Sequence, residues 1–206
     1  MLHLKRQDFD DLDNLYRINL INSCSGFKSA NLIGTKSNDG IPNVAVFSSV
    51  THLGSNPPLL GIVFRPISDV PRNTYENIKE TGQFTVNHIH LDIIEQAHHT
   101  SAKYDKRISE FDTTDLEEEY KNDWHVPFVK GAPIQMALTY CEEYKIKANN
   151  TIQLIAEIKD LYIKDDIIEQ DGFVNLSKAN IVAINGLDGY ALPTLKERID
   201  YQRPKK

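Results

Sequence analysis

Regular alternation of apolar and polar residues predicts that this chain is built mainly from β-strands. The two longest alternating stretches run over residues 134–140 and 152–158, with a turn predicted at Asn149-Asn150 between them. One face of the first stretch carries Ile134, Met136, Leu138 and Tyr140, and one face of the second carries Ile152, Leu154, Ala156 and Ile158. Both strands are therefore expected to cover a hydrophobic core.

Shorter strands precede this pair, and residues that favour turns separate them. Apolar or β-branched runs occupy residues 30–35, 44–50, 59–64 and 84–89. The Asp39-Gly40 pair supplies the positive backbone angles of a hairpin turn, and residues 54–58 form a second turn. A last strand is predicted within residues 171–184, whereas residues 185–206 show no regular pattern.

Helices are predicted in three regions. The first twenty residues combine aspartates with apolar residues at the spacing of a short amphipathic helix lying on the rest of the protein. Asn73 and Glu76 approximate a capping box that begins a second helix, and Gly82 stands where such a helix ends. Residues 92–110 are expected to hold a third helix and a connection, and the acidic stretch 112–132 to form a surface excursion.

These elements together predict a mainly β fold with flanking helices. About five to eight antiparallel strands with two or three helices fit most economically into one closed or partly closed barrel. A chain of 206 residues, of which 40% are hydrophobic, is large enough to enclose a core. We therefore expect a single domain over residues 1–206, with residues 1–20 as a helical N-terminal extension.

Charge and cysteine usage narrow the classes of partner and compartment. The net charge is −6, and the basic residues are interpreted as scattered, apart from a short C-terminal cluster at 203–206. Nucleic acid is therefore not expected as the main partner, because backbone recognition needs concentrated positive charge. Two cysteines without a Cys-x-x-Cys motif, and no apolar run resembling a signal peptide or membrane span, predict a cytoplasmic protein with no membrane partner.

Two groups of polar residues suggest a site for a phosphorylated ligand. Arg72 and the Thr74 hydroxyl are predicted at a helix N-terminus, where free backbone N–H groups, the helix dipole and a bidentate guanidinium all favour an anion. Ser48, Ser49 and Thr51 form a run of hydroxyls at the end of the predicted strand 44–50, and they can donate to phosphate or sugar oxygens. The alternative is purely structural, because hydroxyls near strand ends often bond the backbone and Asn-Thr before a helix is often only a cap.

A series of short motifs follows in order between residues 30 and 90. They are Asp39-Gly40, Pro42-Asn43-Val44-Ala45, Phe47-Ser48-Ser49, Asn56-Pro57-Pro58, Arg72-Asn73-Thr74, Asn77-Ile78, Thr81-Gly82, Phe84 and Val86-Asn87. This order resembles the flavin reductase-like family of FMN-binding split β-barrels, and the strand pattern extends the resemblance over most of the chain. Several motifs in the same order are more specific than any single motif.

The resemblance implies that FMN is the cofactor, and it assigns the contacts to three segments. The phosphate would be bound by Arg72, Asn73 and Thr74. Backbone and hydroxyl groups of the strand that contains Asn43, Val46, Phe47, Ser48 and Ser49 would bind the ring and the ribityl chain. Val63, Phe64 and Arg65 would lie against the cofactor. The family also implies a homodimer with the flavin near the subunit boundary.

A few further residues have side chains that could take part in chemistry. By rough alignment with that family, His98 and His99 could approach the flavin or a nicotinamide, and an exposed histidine pair is the alternative. His88-x-His90 could begin a metal site, but no third ligand stands at a recognisable spacing, and no metal is predicted. Cys24 is expected to be an inert side chain, and Tyr190 to pack a loop rather than cover the ring.

The leading functional hypothesis is an FMN-dependent oxidoreductase that accepts hydride from NADH or NADPH. Electrons would pass to free flavin, to a partner protein or to oxygen, and no catalytic side chain is nominated because the flavin carries the chemistry. One alternative is an FMN electron carrier without NAD(P)H activity. Another is a split barrel that has lost flavin and binds haem or acts as a sensor. Hydrolase, Rossmann and P-loop glycine motifs do not occur.

Overall fold

The computed structural model of the chain describes residues 1–67 and 72–204. Its α-helices are α1 (Asn14–Cys24), α2 (Asn73–Thr81), α3 (Ile94–His99) and α4 (Glu110–Thr113). Its strands are β1 (Lys28–Ser29), β2 (Asn31–Lys36), β3 (Pro42–Phe47), β4 (Val50–Ser55), β5 (Pro58–Phe64), β6 (Gln83–His88), β7 (Glu118–Glu119), β8 (Phe128–Val129), β9 (Ile134–Ile146), β10 (Thr151–Ile163), β11 (Ala183–Asn185) and β12 (Gly189–Ala191). Short 3-10 helices occupy Arg6–Phe9, Leu91–Ile93, Asp165–Ile167 and Leu176–Ala179.

A 7-stranded antiparallel sheet in the order β3-β2-β6-β9-β10-β5-β4 is the centre of the fold. Its two edge strands, β3 and β4, are consecutive in the chain with only Ser48 and Ser49 between them, so the sheet must curl until its edges approach. The Ser49 hydroxyl donates to the Val63 carbonyl oxygen at 2.8 Å, and the Phe47 and Phe64 ring centroids lie 5.2 Å apart. The predicted split barrel with flanking helices is confirmed.

Alternating residues of β9 and β10 fill the inside of this barrel, as predicted. Leu138 and Leu154 are fully buried, and they belong to one cluster with Ile62, Ile78 and Phe84. Because one face of each long strand contributes to this cluster, the pair covers the core in the way that its sequence pattern indicated.

A second apolar cluster lies on the other side of β2. Ile33 belongs to the barrel core, whereas its neighbour Leu32 packs with Val44, Phe111 and Val129 in the second cluster. Successive side chains of a strand point to opposite faces, so β2 separates the two clusters and is buried on both sides.

Two elements near the N-terminus differ from their predictions. The strand expected over residues 44–50 is interrupted after Phe47, because Ser48 and Ser49 form the corner between β3 and β4. Helix α1 begins after Asp13, whose side chain accepts hydrogen bonds from two backbone N–H groups of the first turn. No residue of α1 is buried. In the single chain the helix therefore does not pack an apolar face on the body of the protein, and the prediction that it would is wrong.

The acidic segment 112–132 is not the surface excursion that was predicted. Phe128 and Val129 are at most 1% exposed, and they belong to β8, which pairs with β7. The Pro127 carbonyl accepts a hydrogen bond from the Thr85 hydroxyl at 2.7 Å. A side chain at Gly34 would overlap this carbonyl, so the absence of a Cβ there permits the close packing. Apolar residues among the acidic ones therefore anchor the segment to the sheet.

The C-terminal region is also less regular than predicted. Most of residues 171–184 lie outside strands, and only β11 at the end of this range joins β1 and β12 in a 3-stranded sheet. Residues 185–206 were predicted to be irregular, and this is wrong for β12, which lies within them. Beyond β12 the described residues have no regular structure, as predicted. In the described ranges, no helix combines the length and apolar character that crossing a membrane requires.

Candidate functional site

A cavity of about 1450 Å³ lies at the split of the barrel, between β3, the end of β5 and the start of α2. Residues 98–110 and the region of β1 contribute further walls. Every predicted site residue except His99 lines it, namely Asn43, Val46, Phe47, Ser48, Ser49, Val63, Phe64, Arg65, Arg72, Asn73 and Thr74. The structure thus brings together three segments that are separated by up to about thirty residues in the sequence.

The first turn of α2 forms one end of the cavity. The prediction that Asn73 caps this helix is wrong, because Arg72 occupies the N-cap position and Asn73 is already helical. No side-chain cap is seen there among the described residues, so the N–H groups of the first turn stay available to an anion. The predicted helix end is confirmed, since Gly82 has a φ of 70° and its N–H donates to the Ile78 carbonyl at 2.8 Å.

A buried set of amide and hydroxyl groups fixes the side chain of Thr74. Asn43 Nδ2 donates to Thr74 Oγ1 at 3.1 Å and to Thr35 Oγ1 at 3.3 Å. Asn77 Nδ2 donates to the same Thr35 oxygen at 3.0 Å, and all of these residues are at most 7% exposed. Because Thr74 Oγ1 accepts the bond from Asn43, its own hydrogen is left to be donated to a ligand in the cavity.

Arg72 supplies positive charge next to this hydroxyl. Its Nε atom is buried and has no hydrogen-bond partner in the part of the chain that the structure describes. A buried donor without a partner costs free energy, and a guanidinium nitrogen is especially costly because it is charged. An anion bound at the N-terminus of α2 would satisfy this nitrogen and the free N–H groups together.

The open edge of β3 forms a second side of the cavity. The backbone N–H of Val44 donates to Glu110 Oε2 at 3.1 Å instead of to another strand. Backbone groups of alternate residues point to the same edge of a strand, so the N–H and C=O groups of Val46 face this open edge as well. They are placed to pair with the polar rim of a flat heteroaromatic ring.

Aromatic side chains give the cavity an apolar wall. Phe47 packs edge-to-face on Phe64, whose ring centroid lies 5.5 Å from that of Tyr75 on α2. The Tyr75 hydroxyl donates to Glu143 Oε1 at 2.9 Å, and burial together with this carboxylate raises the pKa of Tyr75 to about 12. Phe47, Phe64 and Tyr75 therefore form a row of packed rings from the cavity wall to α2. The neutral hydroxyl of Tyr75 connects this row to Glu143 on β9.

The Ser49 hydroxyl has a structural partner. Its hydrogen is donated to the Val63 carbonyl, so Ser49 can only accept a hydrogen bond from a ligand. Of the two predicted corner hydroxyls, Ser48 is the one that the structure leaves without a partner among the described residues. The structural interpretation therefore applies to Ser49, and the ligand-binding interpretation stays open for Ser48.

Residues 25–177 match the model of the flavin reductase like domain. This segment is most of the chain, and it contains every residue that was predicted to contact the cofactor. The chain belongs to the flavin reductase-like family. The family assignment accounts for the split barrel and for a flavin-related oxidoreductase character, and it was expected from the motifs.

Solved structures similar to this chain extend this result. The flavin reductase-like chain is 44% identical to a protein from Shewanella frigidimarina NCIMB 400 that is provisionally described as a flavin reductase with split barrel domain. The match covers 98% of this chain and 100% of that chain, with a TM-score of 0.94. Nitrilotriacetate monooxygenase component B from Bacillus cereus is 17% identical over 97% and 98% of the two chains, with a TM-score of 0.84. Flavoredoxin of Desulfovibrio vulgaris (Miyazaki F) is 20% identical over 85% and 90%, with a TM-score of 0.70. The last two show the shared fold alone.

The residues of the cavity fit a flavin mononucleotide. Arg72 Nε, which is buried and bonds no described residue, and the Thr74 hydroxyl suit a phosphate, and the open edge at Val46 suits the hydrogen-bonding rim of the ring. Phe47 and Phe64 provide the apolar surface that a flat ring needs. These three kinds of contact meet in one cavity, as a flavin with its charged tail requires.

The histidine prediction needs correction. His98, not His99, lines the cavity, because neighbouring residues at the end of α3 point in different directions. His99 is exposed and its Nε2 lies 2.7 Å from the Tyr104 hydroxyl. His98 Nδ1 lies 3.2 Å from the Tyr190 hydroxyl, and Tyr190 packs against the second apolar cluster. The packing interpretation of Tyr190 agrees with this position.

The other candidate residues make no site in the structure. His88 is half-buried, and burial lowers its pKa to about 4, so it is neutral at pH 7. His90 lies 3.6 Å from Asp92 and does not approach a further ligand set. No group of three metal-ligating side chains occurs within residues 1–67 and 72–204. Cys24 is exposed as a free thiol.

Several residues of the cavity were not predicted from the sequence. Glu110 is 5% exposed, and burial raises the pKa of its carboxyl group. Lys103, Lys106 and Arg107 also line the cavity, although the basic residues were interpreted as scattered. The run Lys-Tyr-Asp-Lys-Arg at 103–107 was a visible signal for this wall, because it concentrates positive charge in an acidic chain. Glu110 left no such signal.

Proposed function

We propose that this protein is an FMN-dependent oxidoreductase that uses NADH or NADPH and passes electrons to free flavin, a partner protein or oxygen. The observation that carries the proposal is the buried Arg72 Nε, which bonds no described residue, beside the Thr74 hydroxyl at a helix N-terminus that no described side chain caps. This anion site shares a cavity with the open β3 edge and the Phe47–Phe64 wall. Membership in the flavin reductase-like family supports the same cofactor.

FMN, when bound, supplies a ring that accepts hydride from a reduced nicotinamide and releases electrons one or two at a time. The protein residues bind and orient it. Arg72, Thr74 and the first turn of α2 hold the phosphate, and the backbone of Val46 fixes the ring rim. Phe47 and Phe64 exclude water from one side. Hydride transfer needs no side-chain acid or base, and none is assigned.

A homodimer is the assembly that we propose. Helix α1 has no buried residue, and Leu15, Tyr16 and Ile21 on it are at least 50% exposed. Phe27, which follows α1, is 68% exposed. Apolar surface of this kind is unusual in a monomer and typical of an interface. A second subunit on this surface would lie close to the cavity, because Asn22 of the same helix lines it.

We also propose a cytoplasmic location with nucleotides, rather than nucleic acid or membrane, as partners. The free thiols of Cys24 and Cys141 are both exposed, which suits a reducing compartment. The net charge of −6 disfavours binding to nucleic acid. A fluorescent fusion that localised to another compartment would contradict the location.

An absorbance spectrum of the purified protein tests the function. Protein saturated with FMN is freed of oxygen and given NADH, and a second sample is given NADPH. We expect the bands of bound flavin to bleach with at least one of the two nucleotides. Bands that persist with both, but bleach with a reduced redox protein, would make the protein an electron carrier. Protein that stays colourless in excess FMN would refute the cofactor itself.

A further inference from the structure

The cavity concentrates positive charge against the overall charge of the chain. The net charge is −6, yet Lys28, Arg65, Arg72, Lys103, Lys106 and Arg107 all line the cavity. The acidic side chains that line it are Asp105, Glu110 and Asp188. A cavity with excess positive charge in an acidic protein attracts and holds anions. The single phosphate of FMN at Arg72 and Thr74 uses only one part of this wall.

The remaining charge is held on one anchored segment, residues 101–108. The Thr100 hydroxyl donates to the Ala97 carbonyl at 2.7 Å and fixes the start, while the buried Ser109 and Glu110 fix the end. Asp105 organises the middle, since its Oδ1 accepts bonds from the backbone N–H and the Nε of Arg107 at 3.0 and 2.9 Å. The segment is therefore a defined wall of the cavity.

Two lysines on this segment have free ammonium groups. Arg107 is neutralised by Asp105 at 2.9 Å. Lys103 and Lys106 form no ion pair with any residue of the described ranges, although both are exposed and line the cavity. Six other lysines in the same ranges do have carboxylate partners within 4.0 Å. The ammonium groups of Lys103 and Lys106 are therefore available to an anionic ligand in the cavity.

The size of the cavity leaves room for a second ligand. Its volume is about 1450 Å³, whereas the pocket of a single small ligand or cofactor occupies roughly 300–1,000 Å³. The phosphate site at α2 and the lysines of residues 101–108 belong to different segments of the wall. One flavin therefore does not account for both the volume and the charge.

We propose that Lys103 and Lys106 form a second anion subsite that binds the phosphate groups of a pyridine dinucleotide. The inference rests on the proposed function, because the reductant named there carries a pyrophosphate. In this arrangement Arg72 and Thr74 hold the flavin phosphate, and the two lysines position the second nucleotide in the same cavity. They touch the phosphates and take no part in hydride transfer.

ADP-ribose is the probe that tests this subsite, because it carries the pyrophosphate but no nicotinamide that could react. It is titrated by calorimetry into FMN-saturated protein, in the wild type, in Lys103→Gln/Lys106→Gln and in Lys164→Gln/Lys196→Gln. The last variant removes the same charge from exposed lysines that do not line the cavity. We expect Lys103→Gln/Lys106→Gln to bind ADP-ribose roughly tenfold more weakly than the wild type. The control variant should bind ADP-ribose as tightly as the wild type, and both variants should keep the FMN affinity of the wild type.

Unchanged ADP-ribose affinity in Lys103→Gln/Lys106→Gln would overturn the inference, as would a wild type that does not bind the probe. An equal loss of FMN affinity would also overturn it, since the lysines would then belong to the flavin phosphate site. Failure of the proposed function gives a different result. In that case the wild type binds ADP-ribose through these lysines, but neither NADH nor NADPH bleaches the flavin.

Discussion

Removing the Arg72 guanidinium is expected to weaken FMN and to leave riboflavin unaffected. Arg72 Nε is buried without a partner in the described ranges, and the neighbouring Thr74 hydroxyl is held in place by Asn43. A phosphate at this point would accept at least one charge-assisted hydrogen bond from Arg72. Such a bond contributes roughly 1.5–3 kcal/mol. The FMN dissociation constant of Arg72→Ala should therefore rise roughly 10- to 150-fold.

Comparison of two flavins isolates this effect from damage to the ring site. Riboflavin has the same ring and ribityl chain as FMN but no phosphate, so it measures the ring contacts at β3 alone. Both flavins are titrated into apoprotein by the quenching of their fluorescence. Arg72→Lys serves as the matched variant, because it keeps the charge but loses the planar fork, and an intermediate FMN affinity is expected.

Two outcomes would refute the reasoning about Arg72. If FMN binds the alanine variant as tightly as the wild type, the phosphate lies elsewhere in the cavity. If FMN and riboflavin lose affinity equally, Arg72 supports the shape of the site and does not bind phosphate. The urea midpoint of each variant should stay near that of the wild type, because the substitutions keep the Arg72 carbonyl that accepts the Glu76 N–H, and the Arg72 side chain bonds no other described residue.

Three further predictions concern stability and assembly. Gly34→Ala should lower the free energy of unfolding by roughly 1–3 kcal/mol in urea titrations, because the added Cβ meets the Pro127 carbonyl; an unchanged midpoint would contradict this. Burial lowers the pKa of His88 from its ordinary 6.5 to about 4 in the folded protein, so the unfolded state binds the proton first, and stability is lost as pH falls from about 6.5 towards 4. Between pH 7 and 5 the loss should be about 2 kcal/mol, and His88→Asn should show a smaller loss. Leu15→Glu/Ile21→Glu should convert the proposed dimer to monomer in light scattering, and an unchanged mass would place the interface elsewhere.

Local patterns in the sequence determined the elements of the barrel. Alternation predicted β9 and β10 and the faces that they bury, and the Asp39-Gly40 turn separated β2 from β3. The end of α2 at Gly82 was also predictable, because glycine, which lacks a Cβ, adopts a φ of 70° at less cost than other residues. The ordered motifs were specific enough to identify the family and most of the cavity wall.

Contacts between distant segments were decided by the tertiary structure alone. The cap of α2 was misjudged because Asn73 was considered in isolation, whereas the bond that organises this turn comes from Asn43 on another strand. Residues 112–132 contain too many acids for burial to be expected, yet Gly34 and Thr85 provide the space and the hydrogen bond that hold them. Glu110 bonds a backbone group 66 positions away. Periodicity reports which face of an element is apolar, but it carries no information on which distant group will lie opposite it.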